Sequence, residues 1–220
     1  KNNVLAQLEK TWNTYQKQIL IGIGAIAVVI GGWYGYQNWV VAPKEAQAAD
    51  AIYKAQKNFA KDSLNAALKG DVSSKGFIYI INTYGGTKSG NLAKYYAGVC
   101  YLRTGDFNNA VKYLQDFTTD APQIQMMAYG CLGDAYSELG KNDEAVANYK
   151  KAASAFEKDQ YLSSEYLFRA ALRSELNGKT NDAIALYKEI KEKFPSTDRG
   201  AQADKYLYRL TIPENDFSTK

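Results

Sequence analysis

The chain has 220 residues, enough for one domain and an appendage. Apolar residues make up 46% and charged residues 23%, which suits a packed core beneath an ordinary polar surface. Lys plus Arg is 27 and Asp plus Glu is 23, and the resulting net charge of +4 is too small and too evenly spread for a nucleic-acid binder. There is no histidine, so histidine-dependent triads, Cys–His dyads and the commonest zinc sites are excluded. Two cysteines cannot make a disulfide framework.

Residues 1–18 place Val4, Leu5, Leu8, Trp12 and Tyr15 on roughly one helical face, which predicts an interfacial or cytoplasmic segment extending a membrane helix. The longest uncharged stretch follows, and its centre, residues 19–41, reads ILIGIGAIAVVIGGWYGYQNWVV. As a helix this run measures about 35 Å, against a bilayer core of about 30 Å. Trp12 and Tyr15 precede it, and Trp33, Tyr34, Tyr36 and Trp39 close it, in the manner of aromatic belts at membrane–water interfaces. The bulky Trp39-Val40-Val41 stands where a cleavage site would need small residues, so the segment reads as an uncleaved anchor. Ala27, Gly31 and Gly35 form a small-residue stripe, a candidate packing face for another membrane helix. Lys1, Lys10 and Lys17 lie before the span and Lys44, Lys54, Lys57 and Lys61 after it, so lysine counting does not set the orientation.

From Pro43 onward the chain is rich in good helix formers, and strand signals are scarce. Internal repetition is the informative feature. GDFNNAVKYLQDF begins at Gly105, GKNDEAVANYKKA at Gly140 and GKTNDAIALYKEI at Gly178, spacings of 35 and 38 residues. A tetratricopeptide repeat runs about 34 residues as a pair of helices. The repeat-defining positions each have a mechanical reason. Gly98, Gly133 and Ala171 are small, so the two helices of a unit can approach closely. Gly105, Gly140 and Gly178 fall at the end of the first helix, where a left-handed residue is needed. Ala110, Ala145 and Ala183 suit a close contact in the second helix, Tyr136, Tyr149 and Tyr187 recur beside them, and Pro122 and Pro195 are expected to stop their units. The predicted fold is all-α: one transmembrane helix followed by a tetratricopeptide-repeat solenoid. Residues 42–90 read as a linker and degenerate first repeat, 91–210 as three clear units, and 211–220 as a frayed tail.

Stacked helix pairs present a concave face drawn from each first helix. The candidate groove residues are Leu92, Tyr95, Val99, Leu102 and Arg103, then Met127, Asp134 and Glu138, then Phe168 and Leu172. This mixture of apolar and acidic groups suits an apolar or amphipathic segment of another protein, or else packs against a neighbouring unit. A carboxylate clamp of the kind that holds chaperone termini is not expected, because Tyr95, Val99 and Arg103 occupy the positions where it needs Lys and Asn. No catalytic, metal or cofactor site is expected. GGTKSG at 85–90 lacks the spacing of a phosphate-binding loop and reads as a helix-to-helix turn. Cys100 and Cys131 fall on neighbouring first helices and read as buried free thiols.

The plan of a short N-terminal segment, one membrane helix and a repeat domain resembles the YfgM-like family of membrane-anchored tetratricopeptide proteins over nearly the full length. DSLNAALKGD (62–71) and GFIYIINTYGGTKSGNLAKYYAGVCYLRTGDFNNAVKYL (76–114) look like versions of that family from Bacteroidetes-type bacteria. The resemblance implies a single-pass bacterial inner-membrane protein with periplasmic repeats. It also implies a non-enzymatic accessory role at the SecYEG translocon, beside a PpiD-type membrane-anchored chaperone or emerging secretory chains. The alternative is an envelope-assembly scaffold with no translocon contact.

Overall fold

The computed structural model describes the backbone of residues 2–211 and the side chains of residues 9–211. Val4, Leu5 and Leu8, expected on the interfacial helix face, and the expected tail from residue 212 lie outside the described side chains. Eleven α-helices appear among the described residues, with no strand beyond a lone bridge between Gly70 and Lys75.

Helix α1 (Asn2–Tyr36) passes through a π-helical turn (Gln37–Val41) into α2 (Ala42–Ala60). No break separates span from domain, although the sequence reading placed a linker after residue 41. The reason is local. A proline inside an α-helix loses one hydrogen bond and collides with the carbonyl four residues back. Here Ala42 N–H bonds to the Gln37 carbonyl, one residue farther than in an α-helix, and Pro43 follows in the first turn of α2. The widened turn accommodates the proline.

Helix α2 is already part of the domain. Its Ala48, Ile52 and Ala55 are buried, and a first core gathers Ile52 and Ala55 with Ala67 and Leu68 of α3 (Leu64–Lys69), Phe77 and Ile80 of α4 (Phe77–Tyr84) and Ala93, Ala97 and Cys100 of α5 (Lys88–Arg103). Phe77 stacks on Tyr96 at 5.2 Å, and Phe59 meets Tyr96 edge-on at 5.2 Å. Two polar links tie α2 to α5 at opposite ends. Glu45 accepts from the backbone N–H groups of Lys88 (2.8 Å) and Ser89 (3.0 Å), and Arg103 pairs with Asp62 at 2.7 Å. The two helices therefore run parallel.

Three antiparallel pairs follow: α5 with α6 (Phe107–Gln115), α7 (Pro122–Glu138) with α8 (Asn142–Ala155), and α9 (Gln160–Leu176) with α10 (Thr180–Lys193). Helix α11 (Asp198–Thr211) packs on α10 and closes the stack. Their shared core runs from Tyr95 to Ala203.

The repeat-defining residues sit where close packing requires them. Gly98 lies so near Leu114 that an added Cβ would come within 2.5 Å of its Cγ, and at Gly133 it would come within 2.6 Å of the Tyr149 ring. Gly105, Gly140 and Gly178 have φ of +81°, +70° and +72°. In each case the next residue's N–H reaches back to the carbonyl of Tyr101, Tyr136 or Ser174, the bond that terminates a helix on a left-handed glycine. Ala110, Ala145, Ala183 and Ala171 are fully buried, and Tyr136, Tyr149 and Tyr187 are buried beside them. Pro195 lies in the turn after α10. Pro122 does not stop a unit: it is the first residue of α7, where its fixed φ and missing N–H cost nothing.

Candidate functional site

The first-type helices α5, α7, α9 and α11 lie side by side, and their shared face carries the residues expected in a groove. The structure divides that set. Leu92, Val99, Leu102, Asp134 and Leu172 are half-buried, and Arg103, Met127 and Glu138 are exposed, with Met127 at 44%. Tyr95 and Phe168 are instead buried at 9% and 5% and belong to the core. Tyr95 packs on Phe117 and Tyr96, and Phe168 on Tyr187 and Tyr206. Aromatic side chains of their own and adjoining helices, and Phe117 in the turn after α6, pack on these rings, so they form the floor of the face and are out of reach of a docked segment.

A row of charge-assisted bonds crosses the face. Asp134 on α7 accepts from the Tyr149 hydroxyl (2.7 Å) and pairs with Arg169 of α9 (2.9 Å). Arg169 also bonds Glu165 on its own helix at 3.1 Å. The other Glu165 oxygen takes Arg199 of α11 at 2.8 Å, and the Arg199 guanidinium lies 3.8 Å above the Phe168 ring. Nearly three turns along α9 from Glu165, at about 3.6 residues per turn, Glu175 accepts from the Tyr187 hydroxyl (2.6 Å) and pairs with Arg209 at 2.6 Å. The arrangement repeats: a tyrosine of the second helix donates to a carboxylate of the first, and an arginine of the next first helix pairs with the same carboxylate.

Burial and these neighbours shift the titrating groups in the directions expected. Burial raises the Tyr149 and Tyr187 hydroxyls, and the carboxylates that accept from them add to the shift. Burial likewise raises Tyr166, to about 12. Burial opposes the charge of Arg169, but Asp134 and Glu165 raise its pKa on balance. Burial pushes both thiols, Cys100 and Cys131, up to about 12, and both are free. They are therefore protonated packing groups at neutral pH.

Sequence reasoning missed Arg169, Arg173, Arg199 and Arg209. A signal was available: all five arginines of the chain fall on α5, α9 and α11, whereas the second helices carry only lysines. A planar guanidinium suits pairing between adjacent helices better than a compact ammonium does. Arg173, half-buried, is the one arginine with no carboxylate partner among the described residues.

The membrane-helix stripe behaves differently. Most residues of the span are exposed, Gly35, Gln37 and Val41 being half-buried, and one helix among the described residues, within Glu9–Ala60, is long and apolar enough to cross a membrane. An added Cβ at Gly31 would meet nothing, and at Gly35 it would touch only the Trp39 ring at 3.6 Å. Among the described residues, no other helix packs against Ala27, Gly31 or Gly35.

The profile described as tetratricopeptide repeat-like domain matches residues 10–129, and one described as tetratricopeptide repeat matches residues 132–197. No curated protein matches the chain. Among solved structures, one described as a kinesin light chain from Podosopora anserina with nearly identical TPR-like repeats is similar, with a TM-score of 0.54 and 14% identity. That likeness covers 76% of this chain and 86% of the other, and at such identity it shows the fold alone. A second, BtubC (BKLC) from P. vanneervenii, has a TM-score of 0.42 and 15% identity over 79% of this chain and 66% of the other. The first profile spans more than half of the sequence: the chain belongs to the tetratricopeptide repeat-like domain family.

Proposed function

We propose that the protein is a membrane-anchored interaction scaffold that holds a protein partner at a fixed attitude to the bilayer. Tetratricopeptide repeats are protein-interaction modules, and the observation that carries the reading is the unbroken passage of the span into α2, whose Ile52 and Ala55 are part of the domain core. A tether would let the domain wander; a continuous helix fixes its distance and orientation. The partner face is the inner one, with Leu92, Val99, Leu102, Met127 and Leu172 as apolar contacts and Arg103, Glu138 and Arg173 as charged ones.

The finer reading rests on the resemblance in plan to YfgM-like proteins. In it the chain is an accessory subunit of the SecYEG translocon at the bacterial inner membrane, with periplasmic repeats that engage a PpiD-type chaperone or emerging secretory chains. Ala27, Gly31 and Gly35 then face a channel helix. Purification of the tagged full chain from native membranes in mild detergent, followed by mass spectrometry, tests this. Channel subunits in near-equal amount are the expected result. Envelope-assembly proteins without channel subunits would replace the translocon reading with a translocon-independent scaffold.

A further inference from the structure

The Glu45 clamp places a second part of the chain at the height where the apolar span ends. The apolar span ends at Val41, and Glu45 is one helical turn beyond it, about 6 Å at about 1.5 Å per residue. Its carboxylate accepts from the backbone N–H groups of Lys88 (2.8 Å) and Ser89 (3.0 Å) and from the Ser89 hydroxyl (2.7 Å). The turn between α4 and α5, Gly85 to Thr87, and the first residues of α5, Lys88 and Ser89, are therefore held at the height of Glu45. Gly85, Gly86 and Lys88 are exposed there, and Lys44 is exposed beside Glu45. The one carboxylate in this group, Glu45, is already occupied by backbone N–H groups. What remains to face outward at headgroup height is two ammonium groups on a small, protruding turn. The next turn of the stack contributes Asp116 and Asp120, but it is bound one to two turns farther up α5, through Asn91 to the Thr118 carbonyl and Lys94 to the Asp116 carbonyl.

We infer that the Gly85–Ser89 segment rests on the bilayer as a second contact point, with Lys44 and Lys88 facing anionic phospholipid headgroups. This rests on the membrane-anchored reading above. Lysines close to an anionic surface each favour contact electrostatically, and the effect fades within a Debye length. Two lysines are a weak site on their own; the anchor supplies the proximity that makes them count. The contact blocks rotation of the domain about the anchor axis and so selects which side of the inner face looks along the membrane.

The test uses the full chain in phosphatidylcholine vesicles with and without phosphatidylglycerol. An environment-sensitive fluorophore is attached through Gly86→Cys, at a position without positive φ where an added Cβ meets nothing. A control label is attached through Lys61→Cys at the far end of α2, about 24 Å farther along the helix. Unsubstituted protein gives the background from the native thiols. With phosphatidylglycerol present, a lipid carrying a nitroxide on its headgroup is expected to quench the label at 86 several-fold more than that at 61. K44Q/K88Q is expected to remove most of that difference. Equal quenching at 86 and 61 in protein that still floats with the vesicles overturns the inference and leaves the anchor standing. Protein that fails to float overturns both. Quenching at 86 that is unchanged by K44Q/K88Q, or equal in vesicles lacking phosphatidylglycerol, overturns recognition of anionic lipid.

Discussion

The first unit and the later ones solve the same packing problem with different chemistry. Around α2 to α5 the helices are joined by aromatic rings, Phe59, Phe77 and Tyr96, and the polar links sit at the helix ends, at Glu45 and at Arg103 with Asp62. From α7 to α11 the rings are still present, but carboxylate, tyrosine and arginine also join each first helix to the second helix of its pair and to the next first helix. Aligned on Gly105 and Gly140, Leu114 of the first clear unit stands where Tyr149 stands in the second, and Val99 where Asp134 stands. The apolar version needs only shape. The polar version needs every member present, because a half-buried charge without its partner is costly. Rings bind the part of the domain nearest the long apolar helix, and directional bonds set the relative placement of the later units.

The largest test strikes the aromatic end. Phe77→Ala removes a fully buried ring and is expected to cost about 3–5 kcal/mol, read as a lowered denaturant midpoint. A loss below about 1 kcal/mol would mean that the first unit can collapse around the gap.

Overpacking the contact between α7 and α8 comes next. Gly133→Val drives methyl groups into the Tyr149 ring, and about 1–3 kcal/mol should be lost, with Gly86→Val, in open space, as the harmless companion. These small residues, and the left-handed glycines after each first helix, were legible in the sequence because they are local. Steric limits on one backbone position, and a period near that of two helices, appear as residue types at fixed spacing. The ties between units were not legible, because Asp134 and Arg169 are 35 residues apart and nothing in either neighbourhood demands the other.

The polar ladder can be converted into its apolar counterpart. Asp134→Val alone leaves the Tyr149 hydroxyl without its acceptor and Arg169 with only Glu165, and about 1–3 kcal/mol should be lost. D134V/Y149L, which copies the first clear unit, should recover about half of that or more, since removing both partners of a buried bond costs less than removing one. A double variant no better than the single one would show that the ladder has value beyond pairing its own members.

The smallest effect concerns Glu45. Partial burial works against its charge, but the bonds from Ser89 and Lys88 hold its carboxyl below the usual carboxylate range. A lowered folded-state pKa gives stability that is present above the unfolded value of about 4.3 and is lost as pH falls through the folded one. Hydrogen exchange at the Lys88 and Ser89 amides should therefore be slow at neutral pH in the native chain. Glu45→Gln should speed it there, and the two proteins should converge in strong acid. Equal protection at neutral pH would show that the clamp is not what holds the turn.

The sequence by itself determined the helices, the repeat register and the presence of a membrane-length apolar helix. These follow from hydrophobic period, length and glycine stereochemistry, all of which act within a few turns of chain. Only the tertiary structure decided three other things. Pro43 does not separate the long apolar helix from the domain, because a π turn absorbs it. Tyr95 and Phe168 form the floor of the inner face, because neighbouring aromatic side chains cover them. Glu45 binds a turn 43 residues away. Each depends on which side chains meet once helices stack, and that is set by packing across the whole solenoid, not by any local stretch of the chain.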